Sequence, residues 1–433
     1  MSPCSAANVH AWPIMRRRFC NPRRVLAKPL LALAFAALTS ACQTTGSPSA
    51  YQVLDAANTA RSAANIARSG DPQQAIKQAL KHRADAYERD PRLLLADVKR
   101  VKREYDNLMA LLRGEVGKTW GKKEVRVATP KRYVKYTQNY QSRAIVNFDT
   151  GEIMVETVDE TNPMVSLKNA IVTTLLTPND PRATDLFSDT AVKLSSEREP
   201  YLLGLVQDTH RRPIATPEQA EAFAEHLLTS RATRTVEVEN GEKTSTFVKF
   251  TMVSNFAHRQ AQRYRPLVDR YATQYKVSPS LIYAIIKTES NFNPFAVSSA
   301  PAYGLMQLVP TSGGREAFRV AKGEDGIPSK QYLFEPENNI ELGVAYLNVL
   351  IFKQLERVEN PIAREYCVIS AYNTGPSNVL RAFSKNKDDA VNVINGLQPP
   401  EIYQRLRANL PYNETRRYLH KVVTARREFL SFN

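Results

Sequence analysis

The stretch Pro279-Ser280-Leu281-Ile282-Tyr283-Ala284-Ile285-Ile286-Lys287-Thr288-Glu289-Ser290-Asn291-Phe292-Asn293-Pro294 decides how this chain is read. Ser278 followed by Pro279 is a cap-then-proline helix start. Ile282, Ile285 and Ile286 then fall on one face, and Glu289 continues that face. A carboxyl group turned toward apolar surroundings resists ionisation, so it holds a proton near neutral pH, as a general acid must. Asn293-Pro294 stops the helix. The loop from Phe295 to Gln307, ending in the compact run Gly304-Leu305-Met306-Gln307, is placed to cover the carboxyl and form a cleft. Taken alone, the same glutamate also fits the solvated end of a helix.

The surrounding words favour the cleft. Glu289-Ser290-Asn291-Phe292-Asn293-Pro294, with Ala296, Ser298 and Gly304 to Gln307 behind it, resembles the signature of lytic transglycosylases with a lysozyme-like catalytic domain. Two further blocks follow in that family's order: Ala371-Tyr372-Asn373 and Glu414-Thr415-Arg416-Arg417-Tyr418. The resemblance to the membrane-bound lytic murein transglycosylase C type extends through Asn338-Asn339-Ile340, Gly343 and Ala345-Tyr346-Leu347, and upstream through Tyr133-Val134-Lys135-Tyr136. It covers nearly the whole chain after the leader. One departure is Pro301, where the family often has glycine.

With 433 residues, 43% of them hydrophobic, the chain is long enough for two or three globular domains. The formal charge of +16 points to polyanionic surroundings: nucleic acid, anionic lipid or a wall polymer bearing carboxylates. No zinc-finger spacing, Walker loop or dinucleotide fingerprint is present, so neither a metal nor a cofactor is expected.

The first residues read as an export signal. Arg16-Arg17-Arg18, Arg23-Arg24 and Lys28 precede an apolar core from Leu30 to Leu38 that is too short for a stable transmembrane helix. Arg16-Arg17 with Phe19 faintly echoes a twin-arginine signal, and Met15 is an alternative start. Leu38-Thr39-Ser40-Ala41-Cys42 resembles a lipoprotein signal-peptidase box, which makes Cys42 the lipidated first residue. Gln43, not aspartate, follows it, and the lipoprotein rule then implies an outer-membrane anchor facing the periplasm. Plain secretion is the alternative. Export and the lack of a basic-aromatic module argue against a nucleic-acid partner. Cys4 and Cys20 leave with the leader, so Cys367, inside Tyr366-Cys367-Val368-Ile369, is left as a small buried thiol without a disulfide.

The expected organisation is a signal peptide over 1–41, a tether over 42–50, an α+β accessory domain over 51–252 and a mainly α, lysozyme-like catalytic domain over 253–433. The tether is rich in Ser, Thr, Gly and Pro. Leu93, Leu94, Val98, Val101 and Tyr105 keep helical spacing. Asp149-Thr150-Gly151 between β-branched runs marks one antiparallel hairpin, and Asn240-Gly241 marks another. Helices are expected over 163–176 and 217–228, then over 257–276, 279–290, 338–356, 361–373, 376–385, 400–408 and 413–430. A polar insertion from Ala317 to Phe334 is read as flanking the cleft. The accessory sheet holds a glycan or a partner, or orients the catalytic domain.

Ordinary glycosidases need two carboxylates across the scissile bond. Glu289 has the convincing setting, whereas Glu316, Glu324, Asp325 and Glu335 lie in polar sequence that reads as solvated surface. The resemblance implies a mechanism with one carboxyl, acid first and base second. It acts between N-acetylmuramic acid and N-acetylglucosamine in peptidoglycan glycan strands, and the muramyl 6-hydroxyl closes a 1,6-anhydro ring without water. It further implies that Ser298 and Gln307 bond the sugar, that Met306 shapes the pocket floor, that Tyr372 sits beside the acid with Asn373 pinning its corner, and that Glu414 and Tyr418 face the cleft. Without the resemblance, Tyr372 reads as core, Ser298 and Asn373 as turn residues, and Glu414 as a first-turn charge. A hydrolytic muramidase and a non-catalytic wall-binding lipoprotein are the competing functions.

Overall fold

The computed structural model describes residues 91–195 and 197–433. The leader over 1–41, Cys42 with its tether, and residues 51–90 of the accessory domain expected over 51–252 lie outside the described residues.

Helix α1, Pro91–Trp120, buries Met109, Leu112, Val116 and Trp120 at intervals of three and four residues. Three strands follow as a meander: β1 (Arg132–Thr137), β2 (Ser142–Asn147) and β3 (Glu152–Thr157). The turn from β2 to β3 uses Gly151 at φ 74, a left-handed conformation natural to glycine. After α2 (Pro163–Leu176) and α3 (Pro217–Thr229) come β4 (Ala232–Val238) and β5 (Gly241–Thr251). Val238 pairs with Gly241, so the second turn is Glu239-Asn240, one residue earlier than Asn240-Gly241. The two hairpins join through β3 and β5 into one antiparallel sheet of order β1-β2-β3-β5-β4.

Alternation along the strands separates two faces. One carries Ala144, Val146, Ile153, Val155 and Val248, all buried, with α2 packed on β2 and β3. The other carries Tyr136, Arg143, Glu156 and Ser245, which a half-solvated sheet would expose but which this one buries. Arg143 Nε meets Glu156 Oε1 at 2.7 Å, and the guanidinium lies 3.9 Å from the Trp120 ring at the end of α1. Arg234 reaches Glu156 and Glu124 at 2.9 Å each, and Ser245 Oγ donates to Glu156 at 3.1 Å. Every member has a partner, which is the condition for burying such a network.

The rest is helical. α4 (Phe256–Arg263) and α5 (Arg265–Tyr275) replace the single helix expected over 257–276. Pro266, at the second position of α5, cannot donate the hydrogen bond that would continue α4. α6 is Pro279–Ser290. The insertion expected as a polar loop contains α7 (Gly313–Lys322) and the short α8 (Lys330–Leu333), and α7 packs on α9 (Pro336–Val349). Asp325 and Glu335 are not merely solvated. Arg315 Nε meets Asp325 at 2.9 Å, and Arg182, from the N-terminal half, meets Glu335 at 2.5 Å. A π-helical turn, Leu350–Gln354, extends α9. Then come α10 (Pro361–Thr374), α11 (Pro376–Arg381), α12 (Lys387–Asn395), α13 (Pro399–Asn409) and α14 (Asn413–Arg426). α12 was not anticipated, and its cap is Asn386, which accepts from the Asp388 and Asp389 amides. Cys367 is buried in α10, and burial pushes its thiol up to about 12.

The α+β N-terminal half and the helical C-terminal half pack directly on one another. Phe295, from the loop after α6, meets the rings of Tyr133 and Tyr201 at 5.0 Å each. Arg263 donates to the carbonyls of Tyr201 and Leu203 at 2.8 and 2.9 Å. Among the described residues no helix is long and apolar enough to cross a membrane.

Candidate active site

Helix α6 presents the carboxyl. Ile282, Ile285 and Ile286 are fully buried, whereas Glu289, one turn on, is only half-buried. Ser278 does not cap this helix with its own side chain as expected. Asn433 does so, its Oδ1 accepting from the Ser280 amide at 3.0 Å and from Ser278 Oγ at 2.8 Å. At the other end the chain turns sharply: Asn291 and Phe292 both take left-handed conformations, at φ 47 and 63. Ser290 Oγ donates to Leu305 O at 2.8 Å, tying the helix end to the covering loop.

Tyr418, on α14, donates its hydroxyl to Glu289 Oε1 at 2.7 Å. Burial raises the Glu289 pKa to about 7; the Tyr418 hydrogen bond opposes that rise, the charge of Glu414 adds to it and Lys131 opposes it. The group is therefore poised between acid and base at neutral pH. Tyr372, on α10, donates to Met306 O at 2.8 Å and lies 5.5 Å from the Tyr346 ring. Burial, and then the negative charge of Glu289, hold the Tyr372 and Tyr418 hydroxyls well above the ordinary phenol range, so both stay protonated donors.

The covering loop is built around Asn339, fully buried in α9. Its Oδ1 accepts from Met306 N at 2.8 Å, and its Nδ2 donates to Tyr303 O and Leu333 O at 2.8 Å each. Gly304, at φ 76, leaves room for this clamp, because a Cβ there would stand 2.4 Å from Asn339 Nδ2. Met306 is fully buried beneath the loop, and a Cβ on Gly343 would come 2.2 Å from its sulfur. Gln307 is left-handed at φ 48; its Nε2 donates to Gly304 O at 3.0 Å, while its Oε1 has no donor among the described residues. Ser298 Oγ accepts from the amides of Ala300 and Ala302 at 3.3 and 3.2 Å, holding the turn around Pro301 while its own hydroxyl proton remains available.

The geometry thus joins Glu289, Tyr418, Tyr372 and, through its charge, Glu414, which is exposed in the first turn of α14. Asn373 Oδ1 accepts from Thr415 Oγ1 at 2.6 Å, pinning α10 to α14. Asn291, Asn293 and Thr415 stand in the quoted motifs with no contact assigned to them, and Lys131 carries no sequence signal. Asn339 was noted there without a role, although a polar residue beside Ile340 and Leu342 in an apolar helix is itself a signal. The N-terminal half reaches the site directly, since Asn293 Nδ2 donates to Pro130 O at 2.9 Å and Asn291 Nδ2 donates to Phe148 O.

Comparison with known proteins places these features in context. Residues 90–263 match the family model described as membrane-bound lytic murein transglycosylase C, N-terminal domain, and residues 266–395 match the transglycosylase SLT domain. The chain is 43% identical over 325 residues to membrane-bound lytic murein transglycosylase C of Pectobacterium atrosepticum, covering 75% of this chain and 90% of that one. It is also 43% identical over 326 residues to the protein of that name from Yersinia pestis, covering 75% and 89%. Among solved structures, an inactive mutant of lytic transglycosylase Slt from Pseudomonas aeruginosa matches at 28% identity and TM-score 0.28, over 38% of this chain and 23% of that one. The soluble lytic transglycosylase SLT70 of Escherichia coli matches at 24% identity and TM-score 0.30, over 39% and 24%.

Proposed function

The chain belongs to the membrane-bound lytic murein transglycosylase C family and is a peptidoglycan-cleaving lytic transglycosylase, and we propose that Glu289 is its single acid and base. Protonated Glu289 gives its proton to the oxygen bridging N-acetylmuramic acid and N-acetylglucosamine. The muramyl N-acetyl oxygen shields the cation that develops at the anomeric carbon, in place of an enzyme nucleophile. Glu289, now ionised, takes the proton of the muramyl 6-hydroxyl, whose oxygen closes on the anomeric carbon to give a 1,6-anhydro end. No water is consumed. Tyr418 steadies the ionised carboxyl halfway through the cycle, and Tyr372 fixes the Met306 carbonyl at the edge of the cleft. Gln307 Oε1 and the Ser298 hydroxyl are assigned to the sugar and its acetamido groups.

The observation that carries this reading is the half-buried carboxyl with a pKa of about 7, hydrogen-bonded by a protonated tyrosine. Mass spectrometry of digested sacculi tests it: anhydromuropeptides are expected from the native sequence and none from Glu289→Gln. Reducing muramic acid ends would mean a hydrolase instead. Unchanged wall turnover in Glu289→Gln would mean a binding protein.

The relatives are named membrane-bound. For this chain the anchor is assigned to an acylated Cys42 in the outer membrane, with the catalytic domain in the periplasm. Incorporation of radiolabelled palmitate, lost in Cys42→Ala, is the expected result, and fractionation with the inner membrane would revise the location.

A further inference from the structure

The helix turn that carries Glu289 is fastened from the other half of the molecule. Asn291 N closes that turn by donating to Lys287 O at 3.0 Å, and Asn293 N donates to Ser290 O at 3.1 Å. The side chains of the same two residues reach across to the sheet: Asn291 Nδ2 donates to Phe148 O, and Asn293 Nδ2 donates to Pro130 O at 2.9 Å. Both acceptors lie at one end of the sheet, just before β1 and just after β2, where Arg132 pairs with Asn147. They are tied to each other as well, because Phe148 N donates to Lys131 O at 3.0 Å. Asn291 and Asn293 are both buried, so water does not compete for either bond. Asn291 and Phe292 are held at φ 47 and 63. A left-handed conformation is costly for a bulky residue and persists where surrounding contacts over-determine it. Here those contacts are the two amide bonds and the Phe295 ring, 5.0 Å from both Tyr133 and Tyr201.

We propose that Asn291 and Asn293 are positioning residues of the active site: their side-chain amides fix the corner after Glu289 to the N-terminal sheet, which makes that sheet a working part of the catalytic centre. The inference rests on Glu289 being the acid. Neither asparagine touches the carboxyl; both act through the backbone. The corner fixes the last turn of α6, and so the line along which the Glu289 carboxyl meets the Tyr418 hydroxyl at 2.7 Å. It also turns the chain into the covering loop, whose Leu305 O accepts from Ser290 Oγ at 2.8 Å and whose Met306 O accepts from Tyr372 at 2.8 Å. A carboxyl that protonates the bridging oxygen and then deprotonates a hydroxyl of the same sugar has to keep its place against both groups. Without the two amide bonds the corner relaxes toward ordinary right-handed backbone and carries the covering loop away from the acid.

The test is kcat and KM for release of anhydro ends from soluble glycan strands, in the full native chain, Asn291→Gly and Asn293→Ser, with melting temperatures measured alongside. Glycine keeps the left-handed corner open and removes the donor. Serine keeps an oxygen for the Phe295 amide, which Asn293 Oδ1 accepts at 3.0 Å, but is too short to reach Pro130 O. In each variant kcat is expected to fall about tenfold or more with KM little changed, because the strand still binds while the carboxyl is misplaced. Native kcat in both variants, with only a lowered melting temperature, overturns the proposal, since the two amides would then merely hold one domain to the other. Should Asn291→Gly fail to fold, Asn293→Ser answers the same question through the second bond. Glu289→Gln, assayed beside them, separates the two readings. Full activity there removes Glu289 as the acid and the proposal with it, whereas an inactive Glu289→Gln beside native kcat in the asparagine variants overturns the positioning role alone.

Discussion

Replacing Tyr418 with phenylalanine isolates the contact on which the acid depends. The ring and its packing are kept, and the hydrogen bond of 2.7 Å to Glu289 is lost. That bond favours the ionised carboxyl. A hydrogen bond to a charged group contributes about 1.5–3 kcal/mol. One pKa unit corresponds to about 1.4 kcal/mol, and water entering the cleft recovers part of the loss, so the lower end of the range applies. The Glu289 pKa should rise by about one unit above its native value of about 7. Activity needs the protonated form at the first step, so the alkaline limb of kcat/KM should move up by the same amount in Tyr418→Phe. Well below neutral pH both proteins hold the proton, and the rate difference left there, about tenfold or more, reports the lost orientation and weaker support of the base. Release of anhydromuropeptides from sacculi, followed across pH, supplies the measurement. A limb unchanged or moved downward in Tyr418→Phe would refute the reasoning, since it would mean that the hydroxyl does not bond the ionised carboxyl.

Other outcomes follow from the same structure. Glu289 binds its proton more tightly folded than unfolded, so stability falls as pH rises from about 4.5 through about 7, and the penalty is fully present above that. Glu289→Gln should therefore unfold later in urea than the native chain at alkaline pH, by about 2 kcal/mol, with the gap closing in acid. Asn339→Ala removes three buried hydrogen bonds at once and strands the Met306 amide; urea titration should give a loss of about 3 kcal/mol, with activity falling alongside. Unchanged activity there would mean that the covering loop does not shape the cleft. Arg143→Met removes one of the two guanidinium partners of buried Glu156, and because Arg234 remains a loss of about 3 kcal/mol, the low end for breaking a buried pair, is expected in denaturant unfolding. A neutral result would mean that Arg234 alone suffices for that carboxylate.

How much was legible beforehand differs between the elements. The α6 stripe needed only residue spacing: three isoleucines and a glutamate at helical intervals fix which face the carboxyl takes, whatever packs against it. The hairpin at Asp149-Thr150-Gly151 was equally local, because glycine supplies the positive φ that the turn demands. The misses have different causes. α7 is amphipathic, burying Ala317 and Phe318 toward α9, but it is short, opens on Gly313-Gly314 and lies among polar residues that hid its signal. The split between α4 and α5 was readable at Pro266 and was passed over. Arg143 and Glu156 alternate as a solvent face should, and their burial depends on Trp120, brought over from α1, and on Glu124 and Arg234.

The amino-acid order alone determined the helix that carries Glu289, the loop that follows, the α+β-then-α succession and the family, because each rests on neighbours within a few turns of chain. Tertiary structure decided what surrounds the carboxyl: Tyr418 arrives from 129 residues away, and the clamps at Pro130 and Phe148 come from the other half of the molecule. A proton affinity depends on dielectric surroundings and on charges in space, and those are set only when distant segments meet.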